Sequence, residues 1–263
     1  MPVQAICKII GKEKLVNNIY KFSVKSKEIS ENAKPGNFLE IRVCEHGDVF
    51  LRRPISIYNI DKENNVVEFI FQVRGKGTEI LAERKVGEDL DILGPLGNGV
   101  FSIKQYKKVA IIGGGIGIYP LYELAKQLHG ESKVDIYLGF RNKELVTLED
   151  EFNLVSDKLV ITTDDGSYKE KRFAINFLKE DCKEEKPDKI FACGPLPMLK
   201  AIKEFAEENS IPCEISLEER MGCGIGACVG CNVLTQNKDG EQKYKYVCQH
   251  GPVFDSKEVV FEK

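Results

Sequence analysis

No apolar run in this chain approaches the ~20 residues that a membrane-spanning helix needs, and residues 1–14 lack the long apolar core of an export signal. Nor is there a basic excess. Lys and Arg are scattered among Asp and Glu to a net charge of −3, whereas a nucleic-acid binder carries a basic face or stripe. Internal repeats and low-complexity linkers are missing as well. These absences leave a cytoplasmic globular protein as the expectation. The 263 residues, 42% hydrophobic and 30% charged, are enough for two separate cores.

The pattern along the chain divides it in three. Residues 1–104 hold short, often alternating apolar segments such as Phe38–Val43, Ile55–Ile60, Val66–Val73 and Asp89–Leu93. They are separated by turn formers at Pro35-Gly36, Asp61–Asn65 and Gly94–Gly99, the signature of a small antiparallel β-barrel. From 105 to 215 the pattern changes to strands (Val109–Ile112, Val134–Phe140, Leu159–Thr163, Lys189–Cys193) alternating with helical stretches. That alternation predicts a parallel, doubly wound sheet. Residues 216–263 contain four cysteines and many glycines and cannot bury much of a core, so this segment needs a metal or disulfides. The expected class is a multidomain α+β protein: antiparallel barrel, parallel-sheet α/β domain and small C-terminal cysteine segment.

The nine cysteines are an odd number, and three of them crowd between positions 223 and 231, which argues against a disulfide framework. Cys223, Cys228 and Cys231 are spaced Cys-x4-Cys-x2-Cys, with Cys248 sixteen intervening residues further on. This is the plant-type [2Fe–2S] ligand pattern. Four thiolates converging on two irons need a tightly wrapped loop with inward amides, and Gly222, Gly224, Gly226 and Gly230 permit that backbone. The alternatives are inert packing cysteines and a structural zinc site, although zinc sites more often pair two Cys-x2-Cys knuckles and here there is only one. Cys7, Cys44, Cys182 and Cys213 read as small buried or half-buried residues.

Two signals point to a dinucleotide. The strand at 109–112 runs into Gly113, Gly114, Gly115, Ile116 and Gly117 and then a helix from Pro120 to Leu128, a place where a pyrophosphate can approach backbone at a helix N-terminus. A plain tight turn is the alternative, since Ile118 breaks the full G-x-G-x-x-G. The strand ending at Cys193-Gly194-Pro195 places Cys193 at a carboxyl end, facing a ligand crevice, or else in packing. In the barrel half, Arg52-Arg53-Pro54-Ile55-Ser56 suggests an exposed edge. Gly75–Thr78 opens a short helix, Glu79–Arg84, where Arg53 offers a fork for phosphate; solvated surface charge is the alternative.

Taken in order, Arg53–Ser56, Gly77-Thr78, Gly113–Gly117, Cys193–Pro195 and the terminal cysteines resemble the ferredoxin–NADP reductase-like family. More narrowly, Glu218–Cys231 with Val247–Phe254 is similar to the electron-transfer subunits of dihydroorotate dehydrogenase B. The resemblance implies FAD contacts at Arg53, Pro54, Ile55 and Ser56, at Ile70, Phe71 and Gln72, and at Gly77 and Thr78. It implies catalytic positions at Ser56, near the flavin N5, and at Cys193. NAD would lie on Gly113, Gly114, Gly115 and Gly117, and the [2Fe–2S] cluster on Cys223, Cys228, Cys231 and Cys248. The implied partner is an FMN-containing dihydroorotate dehydrogenase catalytic subunit, two of each in a heterotetramer, passing electrons to NAD+ in de novo pyrimidine (UMP) biosynthesis. A small subunit of a ferredoxin–NADP transhydrogenase or sulfide dehydrogenase-like complex is the alternative; those commonly carry Asp where this chain has Cys223.

Overall fold

The computed structural model describes residues 2–44 and 49–261. Its first half is a closed barrel of six strands: β1 (Val3–Val16), β2 (Ile19–Lys25), β3 (Phe38–Arg42), β4 (Arg53–Asp61), β5 (Val66–Gln72) and β6 (Asp89–Leu96), in the order β1-β2-β5-β4-β3-β6. Strict alternation directs Phe22, Leu39, Ile41, Ile57, Phe69 and Phe71 inward, and closure through β1 and β6 leaves no sheet edge. Helices α1 (Lys27–Asn32) and α2 (Lys76–Glu83) fill two of the connections.

Two details depart from the sequence-based expectation. Gly94 to Leu96 continue β6 rather than turn, because the missing side chain at Gly94 admits Leu39; a methyl there would lie 2.6 Å from Leu39 Cδ2. The helix expected at 79–84 begins earlier, at Lys76, where the Thr78 hydroxyl accepts from the amides of Arg74 and Gly75 and donates to the Gly75 carbonyl.

The second half is a six-stranded sheet in the order β14-β11-β10-β7-β8-β9, covered by helices. Its strands are β7 (Lys108–Gly114), β8 (Lys133–Phe140), β9 (Lys158–Thr163), β10 (Lys189–Cys193), β11 (Cys213–Ser216) and β14 (Val253–Asp255). The first five are parallel and β14 is antiparallel to β11. The connecting helices are α3 (Tyr119–Leu128), α4 (Glu149–Leu154), α5 (Ala174–Glu184) and α6 (Leu196–Glu208). The chain leaves β7 toward β8 and β9, then returns to build β10 and β11 on the other side. The carboxyl ends of β7 and β10 are therefore the topological switch point at which such sheets bind ligands.

The described chain forms two compact units. The barrel unit takes Met1–Val100 together with Glu218–Asn232 and Lys245–Pro252; the sheet unit takes Phe101–Leu217, Val233–Tyr244 and Val253–Lys263. The cysteine segment thus has no core of its own. Its two cysteine-bearing stretches belong to the barrel unit, whereas the tip of the hairpin β12 (Asn232–Gln236) and β13 (Gln242–Tyr246) belongs to the sheet unit.

Candidate functional site

The barrel supplies the floor on which the cysteine loop rests. Asn98 Nδ2 donates to the Gln249 carbonyl at 2.8 Å and the Gly99 amide to the Gly251 carbonyl at 2.9 Å, tying the Cys248 segment to the turn after β6. Gly97 is needed there, since a methyl on it would fall 2.5 Å from Pro252 Cδ. The main loop sits equally close. Gly224, at φ +70, would place a methyl 2.6 Å from Glu40 Cγ on β3, and Gly226 one 2.7 Å from Gln249 Oε1. Only residues without a Cβ allow this approach.

The loop turns its amides onto sulfur. The Cys228 amide donates to Cys223 Sγ at 3.3 Å, the Gly226 amide to Cys248 Sγ at 3.1 Å, and the Cys248 amide to Cys231 Sγ at 3.4 Å. Burial opposes the Cys223 thiolate, but the amides of Cys228, Ile225 and Ala227 outweigh it and hold the thiol down at about 7. Cys248 is pushed up to about 12, first by burial and then by Cys231 beside it.

The four thiols converge: Cys228 lies beside Cys223, Cys231 beside Cys248, and Cys223 acts on Cys248 as well. Among the described residues no three ligand-type side chains gather at the spacing of a single ion. Four converging thiols under inward amides, at the Cys-x4-Cys-x2-Cys…Cys spacing, fit a two-iron cluster. Cys231 and Cys248 are buried, Cys223 is half-buried and Cys228 is exposed, so the arrangement has one edge at solvent.

The same unit carries the expected flavin residues. β4 pairs with β5 only from Ile57 onward, which leaves Arg53–Ser56 unpaired on that side, where the missing N–H of Pro54 costs no ladder bond. Ile55 belongs to the barrel core, so Pro54 and Ser56 point to the outer face and Ile55 offers only its main chain. On β5, Phe71 is likewise a core residue, while Ile70 and Gln72 take the opposite face. The Arg53 guanidinium lies over Gly77 in the first turn of α2: a methyl on Gly77 would fall 2.3 Å from Arg53 Nε. A fixed guanidinium beside a helix N-terminus is a cradle for a diphosphate. Arg52, its neighbour in sequence, is structural instead, bridging to Asp91 Oδ2 at 2.8 Å.

In the sheet unit the glycines after β7 have different tasks. Methyl groups on Gly113, Gly114 and Gly117 would strike Ile118 Cγ2 (2.9 Å), Met198 Sδ (2.7 Å) and the Cys193 carbonyl (2.7 Å), so these three let α3, α6 and β10 close on the turn. Gly115 alone, at φ +56, has open space around it. One turn of 3₁₀ helix (Gly115–Ile118) leads into α3, which starts at Tyr119 rather than Pro120. Cys193 ends β10 directly beside Gly113 and is 1% exposed.

Sequence reasoning passed over Glu40, a buried acid under the cysteine loop. Its signal was an acidic residue at a strand position flanked by apolar neighbours, which ordinarily marks only a solvated face.

Replacing Gly224 with Ala adds ~1–2 kcal/mol of backbone strain at positive φ, on top of the collision with Glu40. The expected outcome is a lower iron and sulfide content per chain with the bound-flavin spectrum retained. Unchanged iron and sulfide would contradict the placement of the loop on β3.

Comparison with known proteins bears on the same three regions. Residues 218–260 match the family described as the iron-sulfur cluster binding domain of dihydroorotate dehydrogenase B. Residues 111–204 match the oxidoreductase NAD-binding domain and residues 6–101 the oxidoreductase FAD-binding domain. The dihydroorotate dehydrogenase B (NAD(+)) electron transfer subunit of Fusobacterium nucleatum is 40% identical over 261 residues, 97% of this chain and 98% of that one. The corresponding subunit of Bacillus pumilus is 39% identical over 259 residues, again 97% and 98%. Among solved structures, an NADH-dependent reduced ferredoxin-NADP oxidoreductase superposes with a TM-score of 0.85 at 30% identity, covering 97% of this chain and 90% of that one. Phthalate dioxygenase reductase shares the fold alone, with a TM-score of 0.61 at 19% identity, covering 92% and 76%. With such identity across nearly the whole of both chains, this protein belongs to the family of dihydroorotate dehydrogenase B electron-transfer subunits.

Proposed function

We propose that this chain is the electron-transfer half of an enzyme whose other subunit, carrying FMN, oxidises dihydroorotate for pyrimidine synthesis in the cytoplasm. The observation that carries the reading is the joining of an anion cradle and a four-cysteine loop on one barrel, with a dinucleotide turn in the second unit. When bound, the cluster would supply one-electron chemistry and FAD, able to hold one or two electrons, hydride exchange with NAD. This chain's residues bind and orient those groups. Arg53 and the first turn of α2, through Gly77 and Thr78, hold the flavin phosphates. Pro54 and Ser56 line the open edge of β4, with Ser56 toward the flavin N5. Ile70 and Gln72 contribute side chains, Ile55 and Phe71 their main chain. The turn at Gly113, Gly114, Gly115 and Gly117 receives the pyrophosphate of NAD at Gly115, and Cys193 closes the nicotinamide end from β10. Cys223, Cys228, Cys231 and Cys248 would hold the cluster through their thiolates.

The partner docks on the exposed edge of the cluster loop, and the assembly contains two copies of each subunit. Ile225 and Val229 are 56% and 48% exposed on this loop, and Ala227 between them is exposed too. Val229 holds φ +54, a strained value for a β-branched residue. Apolar side chains kept at solvent around a cofactor edge suit a permanent partner.

A second reading, the small subunit of a ferredoxin–NADP transhydrogenase, draws on the similarity to the ferredoxin-NADP oxidoreductase structure. One assay separates the two readings. Co-expressed with a candidate FMN subunit, this chain is expected to co-purify and to support dihydroorotate-dependent NAD+ reduction. Ile225→Glu combined with Val229→Glu is expected to abolish co-purification while NADH-driven dye reduction by the isolated chain persists. Dihydroorotate-independent ferredoxin–NADP exchange would favour the second reading.

Arg53→Ala removes a charge-assisted pair of ~1.5–3 kcal/mol, so FAD affinity is expected to fall roughly 10- to 150-fold. FAD titration of the folded apoprotein measures it. Wild-type affinity would move the phosphates away from Arg53.

A further inference from the structure

Leu39 and Ile41 enter the barrel core, which sends Glu40 between them to the outer face of β3. A carboxylate there would ordinarily be hydrated. Glu40 is instead 1% exposed, because the cluster loop lies across it at Gly224, the residue after Cys223. Among the described residues neither carboxyl oxygen has a hydrogen-bond partner.

The cations nearby are committed elsewhere. Arg52 is held by the carboxylate and carbonyl of Asp91. Arg53 donates to the Leu51 and Arg52 carbonyls and lies over Gly77. Arg52 and Arg53 act on the Glu40 carboxyl by charge alone, with no hydrogen bond to it among the described residues. Its strand partner is Pro54, so the carboxyl stands on the strand pair between the edge assigned to flavin and the cluster loop.

An unpaired buried acid is costly. Nothing in the packing of the barrel uses this one, since its side chain faces away from the core. Its charge acts at short range in low-dielectric surroundings, where an added electron on a neighbouring cluster is disfavoured. We propose that Glu40 is a potential-setting residue, whose carboxylate under the Cys223 arm of the loop holds the reduction potential of the iron–sulfur cluster low. The inference rests on the reading that the four cysteines hold that cluster.

The test is an EPR-monitored redox titration of the full chain, prepared anaerobically and repeated at several pH values. Glu40→Gln keeps the shape and removes the charge; Glu40→Asp keeps the charge. The cluster potential is expected to move in the positive direction in Glu40→Gln and to stay closer to wild type in Glu40→Asp, with iron and sulfide contents equal in all three. An unmoved potential in Glu40→Gln overturns the inference. So does an equal shift in both variants, which would make packing rather than charge the cause, and so does loss of the cluster from Glu40→Gln. A wild-type chain without iron and sulfide overturns the cluster assignment itself, and this inference with it.

Discussion

Four thiolates repel one another, and the loop that gathers Cys223, Cys228, Cys231 and Cys248 has too little apolar surface to hold them together alone. Three features of the barrel unit answer that constraint. The turn after β6 anchors the Cys248 segment through Asn98 and Gly99. The outer face of β3 carries the loop at Gly224. Inward amides at Gly226, Cys228 and Cys248 offset the charge gathered on sulfur. The barrel, which matches the FAD-binding family, thus also carries the cysteine loop within one compact unit, without an interdomain linker between them.

The nucleotide unit solves a separate problem, the close approach of a diphosphate to backbone. Three glycines of the 113–117 turn are consumed in packing against Ile118, Met198 and Cys193. Gly115 remains as the place where backbone is open at positive φ. Substitutions in one run of glycines are therefore expected to act differently, some through the fold and one through the ligand.

Much of this was legible in the sequence, for particular reasons. The cysteine spacing is covalent information that folding does not rearrange, and it foretold the inward amides. Strands such as Lys189–Cys193 and Val66–Gln72 announced themselves by composition. What escaped depends on registry between distant segments. β11 and β14 are four and three residues long, too short for a periodic signal; β11 exists because β10 offers an edge, and β14 because β11 does. Glu40 looked like a solvated strand residue until the loop some 180 positions later in the sequence was laid over it. The sharing of the terminal segment between two units followed from the same long-range contacts.

The central claim is that this single chain carries electrons between a nicotinamide, a flavin and an iron–sulfur cluster. Anaerobic addition of NADH to the isolated chain, followed by optical and EPR spectroscopy, tests it directly. Bleaching of the flavin together with the signal of a reduced [2Fe–2S] cluster, approaching one spin per chain, is the result the account requires. Flavin bleaching with an EPR-silent protein that contains zinc in place of iron would contradict it.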